Sequence, residues 1–224
     1  SEMTRRERQL VEKSIEEGRK KGARWCAIPS LVRKIDPPAD LKAFWALYRL
    51  FKKEKPAIVH THSSKAGLLG RWAAWLAGVS CTVHTPHGHV FYGHFGPAAS
   101  RLFLLLERIT DRITDRTIAL TKAERDDYIC LHVSKPGKLS VIHSGVEIEH
   151  FKTPAGDPDA LRRFLRISKN PAVVGFVGWL LPIKDPLTLL FAMKQVWKKV
   201  ENAVVVFVGK GKLEPVLKKS AEAI

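Results

Sequence analysis

The chain has 224 residues, 45% hydrophobic and 27% charged, which is enough apolar material for a packed core and excludes disorder by composition. Lysine and arginine number 38 against 22 aspartates and glutamates, a net charge of +16. Such a chain seeks anions: a phosphorylated substrate, an acidic membrane surface or nucleic acid.

Residues 4–21 read as a charged helix that Gly22 stops. A strand is expected over 23–28, then a loop punctuated by Pro37 and Pro38. Residues 39–54 form an amphipathic helix with Leu41, Phe44, Leu47, Tyr48 and Phe51 at helical spacing, ended by Lys55-Pro56. Strands at 57–62, 81–85, 117–121 and 139–143 alternate with helices at 64–77, 98–113 and 122–131. That alternation predicts a parallel sheet wrapped by helices on both faces.

The stretch 152–171 holds three prolines and a short helix and reads as a linker. The pattern restarts as strand 172–178, helix 186–199, strand 203–209 and helix 213–222. Two strands do not complete a doubly wound domain, and the front opens on a charged helix. The expectation is therefore a piece of a longer protein: a front-truncated Rossmann-like domain over 1–152, a linker over 153–170 and the start of a second domain over 171–224.

No apolar run approaches the roughly 20 residues of a membrane span. The N-terminal stretch is charged and lacks the apolar core of a signal peptide. Cys26, Cys81 and Cys130 lie far apart, which argues against a disulfide framework and fits a reducing cytosol.

Ligands of open parallel sheets sit beyond the C-terminal strand ends. Here those ends read His-Thr-His-Ser-Ser-Lys (60–65), His-Thr-Pro-His-Gly-His (84–89), His-Ser-Gly (143–145), Gly-Trp-Leu-Leu-Pro-Ile-Lys (178–184) and Gly-Lys-Gly-Lys (209–212). Six of the nine histidines lie between 60 and 94, although any one of them could be a strand-end residue satisfied by a carbonyl. His60 and His62 point the same way, yet no aspartate or glutamate occurs from Lys55 through Leu106, so no metal site is expected. What remains is imidazoles, hydroxyls, glycine amides and lysines, suited to phosphate or a developing anion. Gly178 and Gly209 each end a strand where a phosphate could approach the backbone, though tight turns need glycine as well. Lys184 precedes the start of a helix, where its charge opposes the helix dipole unless an anion or solvent compensates.

Taken together, IPSLVRKIDPPADLKAFWALYRLFKKEKPAIVHTHSSKAGLLGRWAAWLAGV, the loop TPHGHVFYGHF, LTKAERDDYI, VIHSGVEIEHF and VGWLLPIKDPLTLLFAM resemble family 4 of the glycosyltransferases, retaining enzymes of the GT-B fold. The likeness is to bacterial transferases that build cell-surface polysaccharide on a lipid carrier. It implies a first Rossmann-like domain for the acceptor and a second for a nucleotide-diphosphate sugar, with metal-independent, retaining transfer and no cofactor. His87 falls where the family's cleft histidine is expected. His62, Ser63, Lys65 and His89 fall on the acceptor side. Lys184 matches the lysine of the family's V-G-R-x-x-x-x-K-G motif, which holds the donor diphosphate, with Gly178, Trp179 and Gly209 around it. Trp179 replaces the motif's arginine and Asp185 its last glycine. Gly209-Lys210-Gly211 replaces G-D-G, and Ser144-Gly145-Val146-Glu147 replaces N-G-V-D. The family's first strand, glycine-rich loop and later glutamate pair are missing, so the chain alone is expected to be inactive.

The rival readings are a GT-B-fold nucleotide-sugar epimerase, disfavoured by the carboxylate-free stretch 55–106, and a nucleic-acid-binding module, disfavoured because the basic residues are dispersed. A cytoplasmic protein peripheral to the inner membrane face is expected. The first 55 residues carry 15 basic against 8 acidic residues, and helix 39–54 sets Phe44, Trp45, Tyr48 and Phe51 beside Arg49, Lys52 and Lys53. That helix is expected to pack on the sheet, with Leu41 and Trp45 left outward.

Overall fold

The structure is a computed structural model that describes residues 5–224 except 33, 89–95, 147, 153–155, 158 and 169. The chain divides into two compact units after Val146.

In the first unit, α1 (Arg5–Lys20) ends as its glycine signal predicts. Gly22 adopts φ 86°, its N–H donates to Arg19 O, and the Ala23 N–H reaches back to Gly18 O, which satisfies the last carbonyls of the helix. The strand expected over 23–28 does not form. A strand needs a neighbour for its backbone groups, and this exposed segment pairs with none among the described residues.

Helix α2 (Pro37–Glu54) starts at Asp36, whose Oδ1 accepts the Ala39 N–H at 3.1 Å, with Pro37 at the first helical position where no N–H is needed. Then come β1 (Ile58–His62), α3 (Ser64–Ala77), β2 (Cys81–Thr85), α4 (Pro97–Asp111), β3 (Arg116–Ala119), α5 (Lys122–Cys130) and β4 (Leu139–Val141). The four strands are all parallel and lie in the order β1-β2-β3-β4.

Sequential order has a consequence that the alternation alone hides. Right-handed crossovers that always step the same way place α3, α4 and α5 on one face of the sheet. Burial agrees: Val59, Thr61, Thr82, His84, Thr117 and Ala119 are buried, whereas the alternate residues of β1, Ile58, His60 and His62, are exposed. The expectation of helices on both faces is thus replaced, among the described residues, by a single helical layer. Helix α2 packs against α3 rather than on the sheet. Leu41 and Trp45 do remain outward, 59% and 43% exposed.

The interior under α3 is unusually polar, and its polar groups have partners. Arg71, fully buried, donates through Nε to Gly67 O at 3.0 Å and grips both Glu107 oxygens, at 2.7 and 2.9 Å. Removing either partner would leave a buried charge, the costly case. Glycine lets α3 lie close to the sheet: the His84 ring fills the place of a β-carbon on Gly67, and Thr61 crowds that of Gly70. An apolar cluster of Tyr128 and Val133, with Leu104, Leu131 and Leu139, closes the β4 side.

The second unit holds α6 (Ile148–Lys152), α7 (Ala160–Phe164), β5 (Val173–Val177), α8 (Pro186–Trp197), β6 (Val204–Val208) and α9 (Glu214–Glu222). β5 and β6 pair in parallel over five residues. Leu180, Leu190 and Leu217 form the core, with Phe176, Leu187, Trp197, Val205 and Phe207 packed on it.

Candidate active site

In the first unit the C-terminal edge of the sheet gathers three imidazoles. His60 and His62 project from the uncovered face of β1, their rings 4.2 Å apart. Register places His62 beside Thr85, and His60 Nε2 meets Thr85 Oγ1 at 2.8 Å. Beyond Thr85 the chain turns sharply: Pro86 is buried, and His87 and Gly88 follow at φ 55° and 91°. Two successive left-handed residues fold the loop back over β1, and His87 Nε2 lies 2.8 Å from His62 Nδ1. A contact between two imidazole nitrogens needs one donor and one acceptor. Burial, then the neighbouring His60 and His87, lowers the pKa of His62 below the usual 6.5, so its neutral form prevails at neutral pH.

The start of α3 completes this edge. Ser63 takes φ 58°, donates its N–H to Thr85 O at 3.1 Å and its hydroxyl to His62 O at 2.7 Å. Lys65, expected on the acceptor side, is committed elsewhere. Its ammonium donates to Val32 O and Lys34 O and pairs with Asp40, bracing the approach to α2. His89 lies outside the described residues. His143 meets Leu120 O through Nδ1 at 2.8 Å; as a carbonyl only accepts, Nδ1 carries the proton.

Sequence reasoning missed Glu124. The stretch 55–106 lacks carboxylates, yet the fold delivers one from α5. Thr121 caps α5 by accepting the Glu124 N–H at 3.0 Å, and Glu124 Oε2 accepts the Leu120 N–H at 2.7 Å. Oε1 accepts the Gly88 N–H at 3.0 Å, directly after His87. The Thr121-x-x-Glu124 spacing of a capping box was the available signal. It forecasts the helix start, but not the reach across to Gly88.

In the second unit the two strand ends are laced together: Gly178 N–H to Val208 O, Leu180 N–H to Lys210 O, and Leu213 N–H to Leu180 O, each 3.0 Å. Gly209 sits at φ 157°, and a β-carbon there would fall on the Gly178 carbonyl oxygen. The close approach that Gly209 permits in this structure is thus of backbone to backbone. Trp179 is 60% exposed. Lys184 ends a 3-10 turn, Pro182–Lys184, with an exposed side chain. Asp185 follows at φ 44° and caps α8, Oδ1 accepting the Thr188 N–H at 3.3 Å and Oδ2 the Thr188 hydroxyl at 2.7 Å. A left-handed position suits glycine; aspartate tolerates it and adds the cap. Lys184, Lys210 and Lys212 therefore share one strand-end edge. Among the described residues no cluster of three or more histidines, cysteines or carboxylates is arranged to hold a metal.

Two units, each built on a parallel sheet, make this an α/β protein, and the solved structures that share its fold are of the GT-B type. A crystal structure of a glycosyltransferase from Rickettsia africae shares the fold with a TM-score of 0.62 at 16% identity, covering 93% of this chain and 53% of that one. Anabaena Alr3699/HepE in complex with UDP does so with a TM-score of 0.64 at 22% identity, covering 83% of this chain and 47% of that one. The model of the glycosyl transferase 4-like domain matches residues 4–145, and the chain belongs to that family. The UDP-Gal:alpha-D-GlcNAc-diphosphoundecaprenol alpha-1,3-galactosyltransferase of Escherichia coli is 39% identical over 188 residues, 83% of this chain. This chain spans about half of that relative's length, 49%.

Proposed function

We propose that the whole protein transfers a hexose from a nucleotide-diphosphate sugar to a lipid-linked or other anionic acceptor, with retention at the anomeric carbon. The observation that carries this reading is the 39% identity, over most of the chain, to an enzyme named for a diphosphate-lipid acceptor. The site chemistry supports it. In transfer the bond from the anomeric carbon to the diphosphate breaks and one to the acceptor oxygen forms, so negative charge grows on the leaving diphosphate. Lys184 would neutralise that charge, with the backbone at Gly178, Trp179 and Gly209 beside it. His87 would hydrogen-bond the transferred sugar, and His62 and Ser63 would line the acceptor side. His89 is assigned to that side by the family resemblance alone. Lys65 would serve it indirectly, by bracing the start of α3.

An epimerase on the same fold would need a free group for proton transfer. Glu124, which reaches the histidine loop, has each oxygen occupied by a backbone N–H. The protein would work at the inner membrane face, held there by charge. Among the described residues no helix is long and apolar enough to cross a membrane. The test is incubation of the whole protein with a panel of nucleotide-diphosphate hexoses and diphosphate-linked lipid acceptors. The expected product is a lipid disaccharide with retained anomeric configuration. Donor epimerisation without transfer would establish the alternative.

A further inference from the structure

We propose that Glu124 is a positioning residue for His87, acting through the backbone of the loop that carries the histidine. The inference rests on the role assigned to His87 above and adds a residue to that site.

The loop leaving β2 must hold His87 and Gly88 in succession at positive φ, a conformation uncommon for any residue but glycine. Something outside the loop has to hold it. Among the described residues two contacts do so: the His62 ring on the His87 imidazole, and the Glu124 carboxylate on the Gly88 amide. The second is the firmer. Glu124 is only 8% exposed, sits in the first turn of α5 and has its other oxygen on the Leu120 N–H. An ionised carboxylate is the acceptor that can serve two amides at once, and such bonds are stronger than neutral ones. The carboxylate therefore links the loop after β2 to the end of β3, fixing the direction from which His87 approaches His62. Thr121 caps the same helix through the Glu124 N–H, whereas the Gly88 N–H donates to Glu124 Oε1. Removing the cap and removing the link are thus separable.

The variants are Glu124→Ala, Glu124→Gln and Thr121→Ala, made in the whole protein for kinetics and for NMR of the imidazole nitrogens with selective histidine labelling. His62 and His87 are assigned by the loss of their signals in His62→Asn and His87→Asn. Glu124→Ala should replace the single-tautomer pattern of the His62–His87 contact by the averaged pattern of free imidazoles. It should lower kcat by about tenfold or more, with the donor KM changed by less than about twofold. Glutamine has one accepting oxygen, so Glu124→Gln should fall between wild type and alanine. Thr121→Ala should lower the melting temperature but leave the imidazole pattern and kcat in place.

Unmoved imidazole signals in Glu124→Ala would overturn the proposal, as would a Thr121→Ala variant that loses kcat equally. Should Glu124→Ala fail to fold, Glu124→Gln decides: a pattern and kcat identical to wild type overturn it, and an intermediate pattern supports it. Altered imidazole signals with unchanged kcat would uphold the positioning and remove His87 from the reacting centre, so the two readings fail separately.

Discussion

His62 Nδ1 and His87 Nε2 lie 2.8 Å apart, although 25 residues separate them in the chain, and one proton must lie between them. Charging one ring leaves the contact in place with an imidazolium as donor; only protonation of both rings would set two N–H groups against each other. Since the pKa of His62 lies below 6.5, that ring is neutral near neutrality and becomes charged only on acidification below that value, beside His60 and His87. The whole protein should lose kcat/KM on the acid side as His62 becomes charged. His62→Phe, which keeps a ring without nitrogens, should be about tenfold or more slower near neutrality and lack that limb. A pH–rate profile of both proteins is the check; identical acid limbs would exclude the pair.

His84 is a separate case, buried under α3 at 1% exposure with Nδ1 on Thr61 Oγ1 at 2.9 Å. Burial, then the Arg71 guanidinium, lowers its pKa to about 3. The unfolded chain takes up a proton below about pH 6.5 that the folded chain refuses, so stability falls as pH drops from about 6.5 towards 3. Between about pH 7 and about pH 5 the loss should be roughly 2 kcal/mol. Urea unfolding at both pH values measures it, and His84→Gln should flatten the dependence.

Gly67→Ala sets two effects against each other. Alanine gains about 1 kcal/mol in helix propensity, while overpacking a buried site costs about 1–3 kcal/mol. Here the obstruction is a buried ring held by Thr61, so overpacking should win and the melting temperature should drop. In His84→Ala the ring is gone, and adding Gly67→Ala there should be neutral or stabilising. Additive effects across the four proteins would refute the contact.

Gly209→Ala should unfold or loosen the second unit while sparing the first, because the obstruction is the Gly178 carbonyl, a backbone atom without freedom to rotate away. A loss of at least about 2 kcal/mol is expected. Limited proteolysis should cut preferentially after residue 146 in the variant. An unchanged pattern would mean that the 178–181 and 209–213 segments can separate at little cost.

Membrane attachment should depend on α2. Leu41 and Trp45 are outward, with Arg49, Lys52 and Lys53 on the following turns, all exposed. Each basic residue near an anionic bilayer contributes about 1 kcal/mol. Co-sedimentation with anionic vesicles should weaken with salt and fall several-fold in the double variant Leu41→Ser, Trp45→Ser. Equal binding to neutral and anionic vesicles would assign the charge another purpose.

The order of elements was legible in the chain because its signals are local. Gly22 and Gly78 end helices, Asp36 and Thr121 begin them, and histidines two apart on a strand share a face. The strand-end placement of His62, Ser63 and His87 followed from the same reading. Local signals failed where a partner was required: 23–28 has strand composition but no strand neighbour among the described residues, and the one-sided helical layer follows from strand order, which alternation does not encode. The contacts that shape the candidate site join residues far apart in sequence, Glu124 to Gly88 across 36 positions and His62 to His87 across 25. In a parallel sheet every neighbouring strand is reached through a crossover helix. Side chains at adjacent strand ends are thus always distant in sequence, and which of them meet is decided by how the helices pack.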